Sequence, residues 1–183
     1  SRVYGHFSEE DKFNPKNPYS ATKASAEHLI SSYNNTYGMN VTCVRPSNNF
    51  GPRQHSEKFL PTVVRSLRAG NKIPVYGDGK NVRDWLYVED NVSAIYHLSK
   101  SHIHTKSGGA FNITNNNEMT NIDMVNLICK IMGKNPQESI EFVKDRPGHD
   151  FRYAISNSRL LSTGFSFDSD FRRNLKNTID SLE

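Results

Sequence analysis

Residues 17–48 read "NPYSATKASAEHLISSYNNTYGMNVTCVRPSN", and the fold turns on the order of two elements inside them. Alanines and aliphatics recur at helical spacing from about Ser20 to Tyr37, and Gly38 supplies the expected C-terminal stop. "MNVTCVRPSN" (39–48) then reads as a buried strand whose near-continuous apolar character suits a parallel sheet covered on both faces. A helix that runs directly into such a strand is the building unit of an α/β protein.

The same alternation extends in both directions. Upstream, "SRVYG" (1–5) reads as the end of a strand and "HFSEEDKFNPKNP" (6–18) as a polar loop closed by Pro18. Downstream, Phe59 to Ala69 is expected to be a helix ended by Gly70, followed by "KIPVYG" (72–77) and "VRDWLYV" (82–88) as two strands around the turn "GDGK" (77–80). Glu89 to Lys100 resumes helical spacing, and "GGAFNIT" (108–114) is a strand. Thr120 and Asp123 form an approximate capping box for a helix from Ile122 to Met132, stopped by Gly133. "SIEFV" (139–143) and "RYAIS" (152–156) read as short strands flanking the loop "KDRPGHD" (144–150), and an amphipathic helix closes the chain from Asp168. The expectation is an α/β protein with a largely parallel sheet and a smaller mixed α/β lobe in its tail.

Composition narrows the function classes. The 183 residues carry a net charge of +4, but Lys and Arg are scattered singly among acids, which argues against a nucleic-acid partner and leaves cations enough for an anionic small ligand. Cys43 and Cys129 each lie in an apolar run, so both read as buried thiols in a reducing, cytoplasmic setting. No signal-peptide pattern occurs and no apolar run approaches the roughly 20 residues needed to span a bilayer, so no membrane partner is expected. "HIH" (102–104) has no Cys, Asp or Glu nearby to complete a metal site, and no metal is expected. Asp84 reads as a partner that orients Arg83, and Glu89 with Asp90 as acids that begin a helix.

Tyr19 and Lys23 stand four residues apart, so on a helix the phenol and the ammonium address one pocket. A neighbouring fixed cation favours the phenolate and makes its oxygen a base for a substrate hydroxyl. The spacing alone is equally that of a solvated helix face.

The surrounding segments add to it. "VYG", "NPYSATKASAEHL", "RPSNNFGP", "EKFLP", "PVYGDGKNVRDWLYVED", "FNI" and "DRPGHDFRYAI", in that order, resemble the extended short-chain dehydrogenase/reductase family over essentially the whole chain. Within it the likeness is to the nucleotide-sugar 4,6-dehydratases, because "RDWLYVED" and "RPGHDFRYAI" point to that branch over the epimerases. The resemblance implies part of a Rossmann-like doubly wound parallel sheet in residues 1–70, and a mainly nucleotide-sugar-binding lobe in 71–183 with some segments returning to the first domain. It implies bound NAD as cofactor, with Tyr19 deprotonating the sugar 4-hydroxyl while hydride leaves C4, water then lost across C5 and C6, and hydride returned to C6. Lys23 would tune Tyr19 and bind the nicotinamide ribose, with Pro46 and Ser47 beside the nicotinamide ring. The partner implied is a nucleotide-diphosphate sugar. Asn48, Asn49 and Lys58 would donate to its diphosphate or sugar, and Arg83 with Arg146 would grip the diphosphate. Pro74, Tyr76 and Asn117 would surround base and ribose, and His149 with Tyr153 would complete the loop.

Two departures from the family pattern shape the expectation for this chain. The glycine-rich βαβ unit that would bind the NAD pyrophosphate does not occur in it, and Ser1 and Arg2 stand where the family has the Asp and Glu of Thr-Asp-Glu-Val-Tyr-Gly. The chain is therefore expected to be the carboxy-terminal piece of a dehydratase, inactive alone, whose full-length form dimerises through the Tyr19 helix. The alternatives are an epimerase of the same superfamily and a non-catalytic module that binds nucleotide sugars.

Overall fold

The computed structural model describes residues 5–100, 109–145 and 150–182. Helix α1 spans Pro18–Tyr37: Asn17 caps it by accepting from the Ser20 amide at 2.9 Å, and Gly38 ends it with φ of +64°. Strand β1 (Cys43–Pro46) follows, then β2 (Asn48–Phe50) and α2 (Phe59–Arg68). Next come β3 (Ile73–Tyr76), β4 (Val82–Tyr87), α3 (Val88–Lys100) and β5 (Ala110–Ile113). The rest of the chain forms β6 (Glu118–Thr120), α4 (Asn121–Ile131), α5 (Pro136–Ser139), β7 (Ile140–Val143), α6 (Ser158–Leu161) and α7 (Phe171–Ser181).

The pairings are mostly parallel. Strand β1 lies beside β5 with Cys43 opposite Ala110, β2 beside β4 with Asn48 opposite Trp85, and β3 beside β7 with Ile73 opposite Ile140. Only β6 runs antiparallel, against β4, with Asp84 opposite Glu118. Strand β4 is the central wall, buried from Arg83 to Tyr87. Because successive side chains leave a strand on opposite faces, Trp85 and Tyr87 enter one core with Phe50, Leu60, Met124 and Leu175, while Leu86 enters a second with Ala94, Phe111 and Leu160. Cys43 and Cys129 are both buried free thiols.

Several expectations need correction. "MNVTCVRPSN" is not one strand buried on both faces: Cys43–Pro46 forms β1 and Asn48 already begins β2, Pro46 is exposed, and Arg45 holds Glu27 on α1 through three hydrogen bonds of 2.7–3.0 Å. The two strands expected around "GDGK" are present as β3 and β4, but they do not pair with each other. Each finds a partner later in the chain, and Gly79, at φ +72°, instead lets the chain pass where a Cβ would meet Val75 Cγ1 at 2.8 Å and Ile122 Cβ at 2.9 Å. "RYAIS" forms only isolated bridges, Val82 to Arg152 and Phe7 to Ile155, because its backbone hydrogen bonds are divided between Val82 on one side and Phe7 on the other.

Candidate active site

The expected site residues are spread over several pieces of structure. Tyr19 and Lys23 lie in the first two turns of α1, with the Lys23 ammonium 5.5 Å from the Tyr19 ring centroid and the ring 72% exposed. Pro46 ends β1, and Ser47, Asn48 and Asn49 follow at its carboxyl end, where ligands settle in parallel sheets. Here the Ser47 amide donates to Ile113 at 2.9 Å and Asn49 Nδ2 to the Ser47 carbonyl at 3.0 Å. The Ser47 hydroxyl and the Asn49 carboxamide oxygen are buried with no hydrogen-bond partner among the described residues.

Arg83, only 8% exposed, is held on β4 by the carbonyls of Val82 at 2.7 Å and Asp150 at 3.0 Å, and its guanidinium lies 4.7 Å from the Tyr153 ring centroid. Tyr153 donates its hydroxyl proton to the Asp150 carboxylate. Its pKa is pushed up to about 12, by burial first and then by that hydrogen bond; the charges of Asp150 and Tyr19 act the same way and Arg83 opposes them. Tyr19 is thus within electrostatic reach of Tyr153. One turn of the sheet away, Asn117 is clamped to β4: its carbonyl accepts from the Trp85 amide at 3.1 Å and its Nδ2 donates to the Trp85 carbonyl at 3.3 Å.

The remaining candidates are more dispersed. Lys58 is the exposed N-cap residue of α2, next to Phe59, whose ring stands 5.4 Å from that of Trp85. Pro74 and Tyr76 stand on the exposed side of β3, whose partner β7 leads towards Asp150. Arg146 and His149 lie outside the described residues, as do the "HIH" motif and Ser1 with Arg2.

Sequence reasoning misplaced one residue and missed another. Asp84 accepts from Thr114 and from the Asn117 amide, the latter at 3.1 Å, while Arg83 donates to the main-chain carbonyls of Val82 and Asp150. Asp150, not singled out, is the group on which both Arg83 and Tyr153 converge; an acid two residues before an Arg-Tyr pair was the available signal. Below the Tyr19–Lys23 face, Glu27 and Ser31 continue along α1 at helical spacing into a cavity of about 410 Å³ that Glu9, Arg45 and Arg159 also line. Among the described residues no group of His, Cys, Asp and Glu could hold a metal ion, and no helix is long and apolar enough to cross a membrane.

Comparison with known proteins gives this arrangement its context. Residues 1–114 match the model of the NAD dependent epimerase/dehydratase family. The chain is 41% identical over 96% of its length to the low-salt glycan biosynthesis protein Agl12 of Haloferax volcanii, covering 56% of that protein. It is 40% identical to a dTDP-glucose 4,6-dehydratase of Escherichia coli, over 84% of this chain and 44% of that one. Its fold superimposes with a TM-score of 0.93 on DesIV, the dTDP-glucose 4,6-dehydratase of Streptomyces venezuelae solved with NAD and TYD bound, at 31% identity, covering 99% of this chain and 55% of that one. The chain thus spans about half the length of these relatives, an extent that does not say which half. With the dehydratase-like segments in order and a family model matched over more than half of its residues, the chain belongs to the NAD dependent epimerase/dehydratase family.

Proposed function

We propose that this chain is the substrate-handling part of an NAD-dependent nucleotide-sugar 4,6-dehydratase acting on dTDP-glucose or UDP-glucose. The observation that carries the reading is the convergence at Arg83. A nearly buried guanidinium on the central strand stacks on Tyr153, within electrostatic reach of Tyr19 and beside the strand residue that clamps Asn117. A guanidinium held by carbonyls and a ring is oriented for bidentate contact with a diphosphate.

In this reading residues 1–70 form the cofactor side and 71–183 mainly the nucleotide-sugar lobe, with β5 as a segment that returns beside β1. The buried, unpartnered Ser47 hydroxyl and Asn49 carboxamide oxygen, next to Pro46, fit a group offering donors at the carboxyl end of β1. NAD, when bound, supplies reversible hydride exchange with a sugar carbon. Tyr19, as the phenolate, accepts the proton of the sugar 4-hydroxyl and becomes the neutral phenol, and the Lys23 ammonium stabilises the phenolate that must form before that transfer. Lys58, Asn48, Arg83 and Arg146 meet the diphosphate and sugar; Pro74, Tyr76 and Asn117 meet the nucleoside; His149 and Tyr153 close the site. Self-association along α1 belongs to the same reading, since Leu29, Tyr33 and Tyr37 are exposed on it.

Because these 183 residues contain no glycine-rich phosphate loop, the chain alone is expected to bind nucleotide without turning it over. Titration calorimetry with dTDP and UDP in the absence of NAD tests this. Binding that Arg83→Ala weakens about a hundredfold, the cost of removing a charged partner, supports the reading. Absence of binding to either nucleotide refutes it, and a 4-keto product from the chain with NAD and a glucose nucleotide refutes the expected inactivity.

A further inference from the structure

The most deeply buried carboxylate of the described residues is that of Asp84, 1% exposed on β4 between Arg83 and Trp85. Burial pushes its pKa upward and hydrogen bonding opposes this. Its Oδ2 receives the Thr114 hydroxyl, and its Oδ1 the Asn117 amide at 3.1 Å. The direction of the Thr114 bond follows from what else that hydroxyl does. Its oxygen accepts from the Asn116 amide at 3.0 Å, so its proton is directed at Asp84. The turn this creates holds Asn116 at φ +55°, in the left-handed region that Asn tolerates, and brings Asn117 back onto β4. There Nδ2 faces the Trp85 carbonyl, which can only accept, so the carboxamide oxygen is the end that Asn117 has left to offer. A buried charge is expensive to maintain and an apolar residue of similar size is often as stable. That points to a role in geometry.

We propose that Asp84 is a positioning residue for the nucleotide: through Thr114 and the Asn117 amide it fixes the 114–117 turn against the strand that carries Arg83, so that an acceptor oxygen and a guanidinium stand in one register. This rests on the nucleotide-sugar reading above. An acceptor at Asn117 selects a ligand that offers a donor, either a ribose hydroxyl or a ring N–H such as thymine and uracil carry.

The test is calorimetry of the chain with dTDP, UDP and inorganic pyrophosphate. Thr114→Ser keeps the hydroxyl and should bind the nucleotides within about twofold of wild type. Thr114→Val and Asp84→Asn each break the charged hydrogen-bonded link and should bind them about tenfold more weakly. Pyrophosphate, which has no nucleoside for Asn117, should bind all of them alike. Ile128→Val, a one-methyl truncation on α4 that touches none of the 84–114–117 hydrogen bonds, serves as the stability control and should leave every affinity unchanged. Thr114→Val binding nucleotide as tightly as Thr114→Ser overturns the proposal, whether or not Asp84→Asn folds. So does a loss that pyrophosphate shares equally, because that marks general loosening of the fold. Wild-type chain that binds pyrophosphate but neither nucleotide refutes the nucleotide-sugar reading itself.

Discussion

Helix α1 and helix α4 are both well capped, yet they belong to the molecule in opposite ways. α4 buries Met124, Val125, Ile128 and Cys129 in the larger core. α1, with twenty residues, buries none, and is held by its Asn17 cap, its Gly38 stop and the Glu27–Arg45 pair. The acid–base candidates Tyr19 and Lys23 ride on the loosely attached helix. The nucleotide candidates Arg83 and Asn117 are built onto the rigid strand. In the proposed reading such a division would separate two tasks, a nucleotide gripped by residues anchored in the core and chemistry presented by an element that buries none of its own residues.

The strongest way to break this contrast is to truncate one residue on each helix. Ile128→Ala should cost about 2–5 kcal/mol of unfolding free energy, whereas Leu29→Ala on the exposed face of α1 should stay within about 0.5 kcal/mol. Urea denaturation measures both, and equal costs would mean that α1 is as tightly integrated as α4. A sharper probe is Glu27→Gln, which leaves the half-buried Arg45 guanidinium without its carboxylate. We expect about 1 kcal/mol of loss, confined to faster amide exchange in α1, with the α4 amides unchanged. Exchange that accelerates in both helices would contradict the separation.

The smallest effect concerns one proton. Tyr153 is an acid whose neutral form the fold favours, first because its phenol is partly buried and then because its ionised form would face the Asp150 carboxylate. The stability it contributes is therefore complete below the ordinary phenol value near 10 and is lost as pH rises through about 12. In a spectrophotometric titration Tyr153→Phe should remove a phenol step near 12; loss of a step near 10 instead would show that the Asp150 contact is not maintained.

Local signals in the sequence located the helices well. Asn17, Gly38, Thr120 and Gly133 are terminal signals whose chemistry acts within a turn of the residue itself, and α1 and α4 begin and end within a residue or two of where those signals place them. Strand partners were not legible, because pairing depends on what the cores bring together. "GDGK" has the glycines of a hairpin, but β3 and β4 part after it and pair with β7, β2 and β6. At the site, order along the chain indicated Arg83 and Tyr153 as candidates without revealing that the two stack. Asp84 was assigned to the neighbour beside it in sequence, although its partners Thr114 and Asn117 come from the turn after β5. An acid embedded in "WLY" carried a general signal, that a buried carboxylate must find donors, but sequence cannot say which segment brings them.

The ladders of this fold also set its folding kinetics. Every strand pair described here joins segments with at least one helix between them in the chain, so no ladder can start to zip from a tight turn. Large loops must close before any inter-strand bond rewards the lost chain entropy, which puts the refolding rate towards the slow end for a chain of this size. The helices, whose bonds are local, will stand first, and the strand edges will wait for them, open to intermolecular pairing in the interval.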